Sequence, residues 1–262
     1  MHLNLLSSLS PAALCAPKRI RTNQDTDLIK LLACICMLID HAGKMLFPQI
    51  PEMRLIGRLA FPLFAYCIAV GAVYTRDPIR YLSRIVLLAL VSQPLYALGL
   101  AHENRAMFSV SFLNDPVGCI CAFYLNSWVK PSILLSLALG LCLLFSLRGK
   151  RWVLAAGIMV LCLRMDTVLD YGVEGIFLML LFYLLCEHPA LCAAAATAFV
   201  LWWAQGYGYS LFGFSFNMRI FALPAVLFAC LPMKRRLILP RWFIYGFYPA
   251  HLALLAILCR IF

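Results

Sequence analysis

Charge is what this sequence lacks most. Only 13% of its 262 residues are Asp, Glu, Lys or Arg, and the acidic ones number 11 against 22 basic. A soluble globular domain carries about 25% charged and 45–50% apolar residues. Here 64% are apolar and the mean hydropathy is +0.91, too little polar surface to cover a soluble fold. Because apolar runs recur from residue 28 to the C-terminus, a soluble domain on a single anchor is excluded as well. The runs do not alternate apolar with polar residues, which excludes the strands of an outer-membrane barrel.

Further absences narrow the reading. The chain has twelve cysteines but no C-x-x-C pair and no Cys/His spacing suited to a metal. Cys34, Cys36, Cys142, Cys162, Cys186, Cys192, Cys230 and Cys259 lie inside apolar runs, where a free thiol behaves as a small apolar side chain. A disulfide framework and a metal site are therefore not expected. No internal repeat stands out. In the first 26 residues Lys18, Arg19 and Arg21 follow the one short apolar stretch, whereas a secretory signal has its basic residues first. Residues 1–26 read as a cytoplasmic or interfacial segment, and 27–262 as a single transmembrane domain. The net charge of +11 sits between apolar runs, so it reads as loop topology and not as a nucleic-acid surface.

What is present is an all-α polytopic bundle of nine to ten helical segments. Runs of about 20 residues fall near 28–47, 55–74, 81–100, 131–147, 152–165, 172–187, 190–205, 217–232 and 242–261. Residues 106–129 are interrupted by Asn114-Asp115-Pro116, and Pro disfavours helix at the residue before it. Treating 106–129 as a re-entrant or interfacial segment, with the N-terminus cytoplasmic, puts Arg76, Arg80, Arg148, Lys150, Arg151, Lys234, Arg235, Arg236 and Arg241 inside, as the excess of Lys and Arg on cytoplasmic loops requires. Asp166 and Asp170 then fall outside.

Ionisable residues within such runs are expensive and tend to be functional. Asp40 and His41 stand side by side in the first span with Lys44 one turn on, Arg58 is in the second, Gln93 in the third and His251 in the last. At a helical rise of 1.5 Å per residue, His41 lies roughly 20 Å above the inner side, Arg58 roughly 24 Å, Gln93 roughly 18 Å and His251 roughly 14 Å, within a ~30 Å core. Four spans thus bring polar groups to one layer, which Glu174 can join. Asp40 and His41 point about 100° apart, so they cannot share one narrow stripe. Asp40 with Arg58 reads equally as a structural ion pair or a catalytic element. Tyr248 and His251 share a face of the last helix. His251, among Leu, Ala and Ile, also reads as a hydrogen-bonded core histidine. Arg80 and Arg84 also read as topology residues, and Pro62 and Pro94 as kinks.

Asp27-Leu-Ile-Lys30 opening a span that closes on Met37-Leu-Ile-Asp40-His41 resembles the start of the TraX family. The resemblance continues in order through Gly57-Arg58-Leu-Ala-Phe61-Pro62-Leu-Phe64-Ala65, Tyr171-Gly-Val-Glu-Gly175 and Phe247-Tyr248-Pro-Ala-His251. It runs from about residue 27 to 262, with a poor match around Phe108–Asp115. It implies an inner-membrane acetyltransferase that moves an acetyl group from acetyl-CoA, bound as donor and not as a resident cofactor, to the N-terminal residue of a pilin. The family is similar in arrangement to membrane acyltransferases that modify glycans, so acyl transfer is implied more firmly than pilin. On that reading His41 is the general base, Asp40 orients it or pairs with Arg58, and Arg58 holds the oxyanion or a CoA phosphate or carbonyl. His251 is a second polar contact. Arg76, Arg80 and Arg84 form a cytoplasmic collar for CoA, and Gln93, Glu174 and Tyr248 meet substrate. A proton-coupled transporter also places Asp, His and Arg near the midplane, but the missing repeat argues against it.

Overall fold

Each apolar run anticipated from the sequence is helical in a computed structural model that describes residues 18–100, 115–211 and 213–261. In chain order the helices are α1 (Thr26–Met45), α2 (Glu52–Gly57), α3 (Ala60–Tyr74), α4 (Pro78–Leu100), α5 (Pro116–Ser127), α6 (Ile133–Arg148), α7 (Trp152–Arg164), α8 (Gly172–Leu185) and α9 (Pro189–Trp203). An antiparallel hairpin of β1 (Gln205–Leu211) and β2 (Phe214–Phe216) follows, then a 3₁₀ turn at Met218–Ala222, α10 (Leu223–Cys230) and α11 (Arg241–Ile261). The hairpin is a small addition to an all-α bundle.

Local chemistry sets these ends. Asp25 caps α1 by accepting the Leu28 N–H at 3.2 Å, and Asp115 caps α5 by accepting from Gly118 at 2.8 Å. Proline opens α4, α5 and α9, where its missing N–H costs nothing. Inside a helix it does cost. Pro62 cannot bond the Arg58 carbonyl, and the chain tightens at Arg58 and Leu59, whose N–H groups turn to Leu55 and Ile56, both at 3.1 Å. The second expected span is therefore α2 and α3 joined by one tightened turn, with Arg58 on it. Pro94 likewise leaves the Leu90 carbonyl without its helical partner, and the Tyr124 hydroxyl donates to it at 3.2 Å.

The bundle buries a few polar groups in an apolar core and exposes many apolar side chains. Ser92, Gln93, His41 and His251 are buried, while Leu87, Val91, Val153, Leu163 and Ile257 are more than half exposed. Such a surface suits lipid and not water. Glu52–Tyr74, α4 and Arg241–Cys259 are long and apolar enough to cross a membrane. α1 has the length, at 20 residues, but carries Asp27, Lys30, Asp40 and Lys44. Helices α6 to α9 run 13 to 16 residues, shorter than a full span of about 20. Of the interrupted segment 106–129, residues 106–114, Asn114 included, lie outside the described residues, and the remainder forms the 12-residue α5.

Close approach of helices rests on small residues, as expected where no water drives association. A side chain at Gly43 would press on Met53, and one at Gly57 would overlap Asp40, so α2 lies tight against α1. The N-terminal segment joins the body before residue 26. Thr22, Asn23 and Asp25 are fully buried, and the Tyr66 hydroxyl meets Thr22 at 2.6 Å and donates to the Asn23 carbonyl at 2.7 Å.

Candidate functional site

Two helix stripes build the site. On α1, Asp27, Lys30, Cys34, Met37 and His41 recur every three or four residues, the period of one helix face. On α11 the same period carries Arg241, Ile244, Tyr245, Phe247, Tyr248 and His251. With the exception of the two histidines, every one of these residues lines a cavity of about 560 Å³. It is closed on its other sides by α3, α4 and α6, through Cys67, Ile68, Tyr81, Arg84, Ile133 and Leu134 among others.

The mouth of this cavity is basic. Lys30, Arg80, Arg84, Arg235 and Arg241 stand around it with two carboxylates, Asp27 and Asp77. Asp27 binds Lys30 at 3.0 Å and Arg235 at 2.9 Å, and Asp77 binds Arg80 at 3.3 Å. Among the described residues no ion pair holds Arg84 or Arg241. The strap between α10 and α11 is drawn over the mouth because the Asp25 carboxylate accepts from the Arg236 and Leu237 backbone and Asp27 accepts from Leu239.

About one helical turn past the floor, roughly 6 Å along α1 from Met37 and roughly 4.5 Å along α11 from Tyr248, the stripes end in a histidine pair. His41 Nδ1 lies 2.8 Å from His251 Nε2, and His251 Nδ1 lies 2.8 Å from the Phe247 carbonyl. A carbonyl only accepts, so neutral His251 carries its proton on Nδ1 and presents a lone pair at Nε2. His41 must then donate from Nδ1, which leaves the His41 Nε2 lone pair uncommitted. The chain of bonds fixes a tautomer suited to taking a proton. Phe247 stacks on His251 with ring centres 5.1 Å apart, and Tyr248 meets it edge-on at 5.5 Å.

Asp40 turns the other way, onto α2. Its Oδ2 accepts from Arg54 at 2.9 Å, and its Oδ1 stands 3.6 Å from Arg58. Asp40 therefore pairs with Arg58, as expected, but more closely with Arg54, and the partner that orients His41 is His251. Of the other candidates, Arg80, Arg84 and Tyr248 line the cavity, whereas Arg76 is exposed and does not. Gln93 is buried and occupied. It donates to the Ser127 and Lys130 carbonyls and accepts from Ser132 at 2.9 Å, so it fastens α4 to the loop before α6 and has no amide hydrogen left for a substrate. Glu174 lies at the start of α8 beside Gly172, where Asp166 also sits. Its packing is with that turn and not with the histidines.

Sequence reasoning missed Arg54, Lys30, Arg235, Arg241 and Phe247 as parts of the site. Lys30 and Phe247 had a signal, since both fall on stripes that end in His41 and His251.

Buried titratable groups gathered within an apolar-surfaced bundle define a multi-pass membrane protein with an internal polar site. The TraX protein family matches residues 25–259, and the chain belongs to it. Over 40 residues it is 52% identical to an uncharacterized protein, RP591, of Rickettsia prowazekii (strain Madrid E), covering 15% of this chain and 16% of that one. Over 80 residues it is 26% identical to a probable fimbrial assembly protein FimC, serogroup H1, of Dichelobacter nodosus, covering 29% of this chain and 33% of that one. The aligned stretches thus span a third or less of these relatives. No solved structure matches the chain.

Proposed function

We infer that this protein is an integral-membrane acyltransferase that moves the acetyl group of acetyl-CoA to the N-terminal amine of a pilin subunit. The observation that carries this reading is the cavity of about 560 Å³ with a basic mouth, an apolar shaft and a hydrogen-bonded histidine pair one turn beyond its floor. An acyl-CoA has the matching parts in the same order: an anionic nucleotide, a slim arm and a reactive thioester. Similarity to a fimbrial assembly protein supports a pilus-related acceptor.

The reaction follows from the tautomer. The acceptor nitrogen attacks the acetyl carbonyl carbon, and its proton passes to His41 Nε2. The imidazolium so formed keeps its Nδ1–H on His251 Nε2, which spreads the positive charge over two rings. Collapse of the tetrahedral intermediate breaks the carbon–sulfur bond, and the departing thiolate recovers the proton from His41. Arg58, held loosely by Asp40, supplies positive charge for the oxyanion. Because acetyl-CoA is cytosolic, the mouth faces the cytoplasm. Arg148 is also at that end, donating to the Ala72 and Thr75 carbonyls, as is the strap with Lys234, Arg235 and Arg236. The excess of basic residues there agrees with an inner-membrane orientation whose N-terminus is cytoplasmic.

The test is transfer of labelled acetyl from acetyl-CoA to a pilin N-terminal peptide by protein purified in detergent or nanodiscs, read by mass spectrometry of the peptide. Acetyl on the terminal amine is the expected result. Transfer only to a glycan hydroxyl would replace the acceptor, and counterflow of a solute with no transfer at all would replace the reaction.

A further inference from the structure

We propose that the Phe247 ring is the partition between the donor cavity and the histidine pair, and that it sets how long an acyl group the protein transfers. The inference rests on the acyl-transfer reading of the same site. Phe247 faces both compartments, stacked on His251 where its neighbour Tyr248 meets the same imidazole edge-on. Phe247 lines the cavity, and its ring stacks on His251 at 5.1 Å with the planes 19° apart. Its carbonyl holds the His251 proton at 2.8 Å. Neither histidine itself lines the cavity, so a thioester reaching the floor meets this ring before it meets an imidazole.

With the nucleotide fixed at the basic mouth, the position of the sulfur is fixed too, and only the acyl group varies in how far it projects. An acetyl group ends at the ring and reaches the histidines when the half-buried Phe247 side chain tilts. A butyryl group occupies the space that the ring itself fills. A wall of this kind discriminates because a methylene that does not fit is worth roughly 10-fold or more in kcat/KM. The same ring keeps water from the histidine pair while donor is bound and acceptor is absent.

The experiment compares wild type, Phe247→Ala, Phe247→Leu and Phe247→Trp in nanodiscs with acetyl-, propionyl- and butyryl-CoA, with and without acceptor peptide. The quantity read is the butyryl-to-acetyl ratio of kcat/KM, which is internal to each sample and so independent of how much protein is folded. For Phe247→Ala the ratio is expected to rise about 10-fold or more, with Phe247→Leu between it and wild type. Phe247→Trp is expected to lower the propionyl-to-acetyl ratio. Acceptor-free hydrolysis of acetyl-CoA is expected to increase in Phe247→Ala. Ratios that stay within about twofold across the series, in variants that transfer acetyl, overturn the partition and leave acyl transfer standing. If Phe247→Ala does not insert, the Leu and Trp variants decide by the same ratio. If wild type transfers nothing from any of the three thioesters, the acyl-transfer reading falls, and this inference with it.

Discussion

Helix α1 carries the same arrangement at both ends, a carboxylate between two cations, and uses it in two ways. At one end Asp27 binds Lys30 at 3.0 Å and Arg235 at 2.9 Å. At the other Asp40 binds Arg54 at 2.9 Å and Arg58 at 3.6 Å. The Asp27 cluster rims an open cavity, and its Arg235 side chain is 57% exposed. The Asp40 cluster is closed over by α2, against which Gly57 leaves room for the carboxylate. The first cluster stands where an anionic ligand can reach it, while in the second Arg54 is spent on holding α2 against α1 and Arg58, 3.6 Å from Asp40, is held more loosely. His41 stands one residue past the closed cluster, yet on the stripe of the open one.

The largest effect is expected at this histidine. His41→Gln keeps a polar side chain of similar reach but removes the basic nitrogen, and kcat is expected to fall by about 10²–10⁴ with insertion intact. His251→Gln keeps an acceptor for His41 Nδ1 but cannot share the charge, so a smaller loss of about 10-fold to 10²-fold is expected. Steady-state acetyl transfer by both variants, with thermal unfolding in detergent as the control, measures this order. Equal losses, or a greater loss for His251→Gln, would make His251 the base.

Next comes the contrast between the carboxylates. Asp40→Asn leaves two half-buried guanidinium groups without their counter-charge. A fully buried pair broken in this way costs about 3–5 kcal/mol, and partial exposure of these side chains brings the expectation to about 2 kcal/mol. Thermal unfolding shows it as a lowered midpoint, with kcat per folded molecule nearly kept. Asp27→Asn is expected to behave oppositely, with little change in the midpoint and a several-fold higher KM for acetyl-CoA as Lys30 and the strap lose their anchor. A donor effect from Asp40 or a stability effect from Asp27 of equal size would erase the difference between the two clusters.

The contrast also marks how much the sequence disclosed. Helix positions were legible because the apolar runs are long and bounded by Pro, Gly and charge. Asp40 with Arg58, and the shared layer of His41 and His251, followed from helical rise and pitch. Arg54 did not, because it precedes the apolar run in Pro51-Glu-Met-Arg54, and nothing local says that this stretch folds back as α2 along α1. Arg235 meets Asp27 across 208 positions, and periodicity gives a face but never the neighbour on it. Gln93 was visible as a buried polar group, yet burial alone does not distinguish a ligand contact from a loop fastening. Only its three backbone partners do.

At the mouth, Arg84 and Arg241, which no ion pair holds among the described residues, are the ones free to meet phosphate. Replacing both Arg84 and Arg241 with Gln is expected to raise KM for acetyl-CoA about 10-fold with kcat unchanged, since charge-assisted contacts to a remote group are uniform binding. Acetyl-pantetheine, which has no nucleotide, is expected to react equally well with both proteins. A matched loss with acetyl-pantetheine would move these side chains from the mouth to the chemistry.

The smallest effect separates a collar from a topology signal. Arg76 stands four residues before Arg80, exposed, just ahead of α4, and the sequence places all of Arg76, Arg80 and Arg84 in one collar. In the structure the cavity takes Arg80 and Arg84 and passes Arg76 by. An exposed cation that rims no concave surface adds only screened, long-range attraction, which fades beyond about 8 Å at physiological salt. Arg76→Gln is therefore expected to change KM for acetyl-CoA by less than about twofold, and salt titration of KM is expected to give the wild-type slope. A 10-fold change would mean that the nucleotide extends past the mouth onto the surface that carries Arg76, and would enlarge the open cluster by one residue at the expense of the loop.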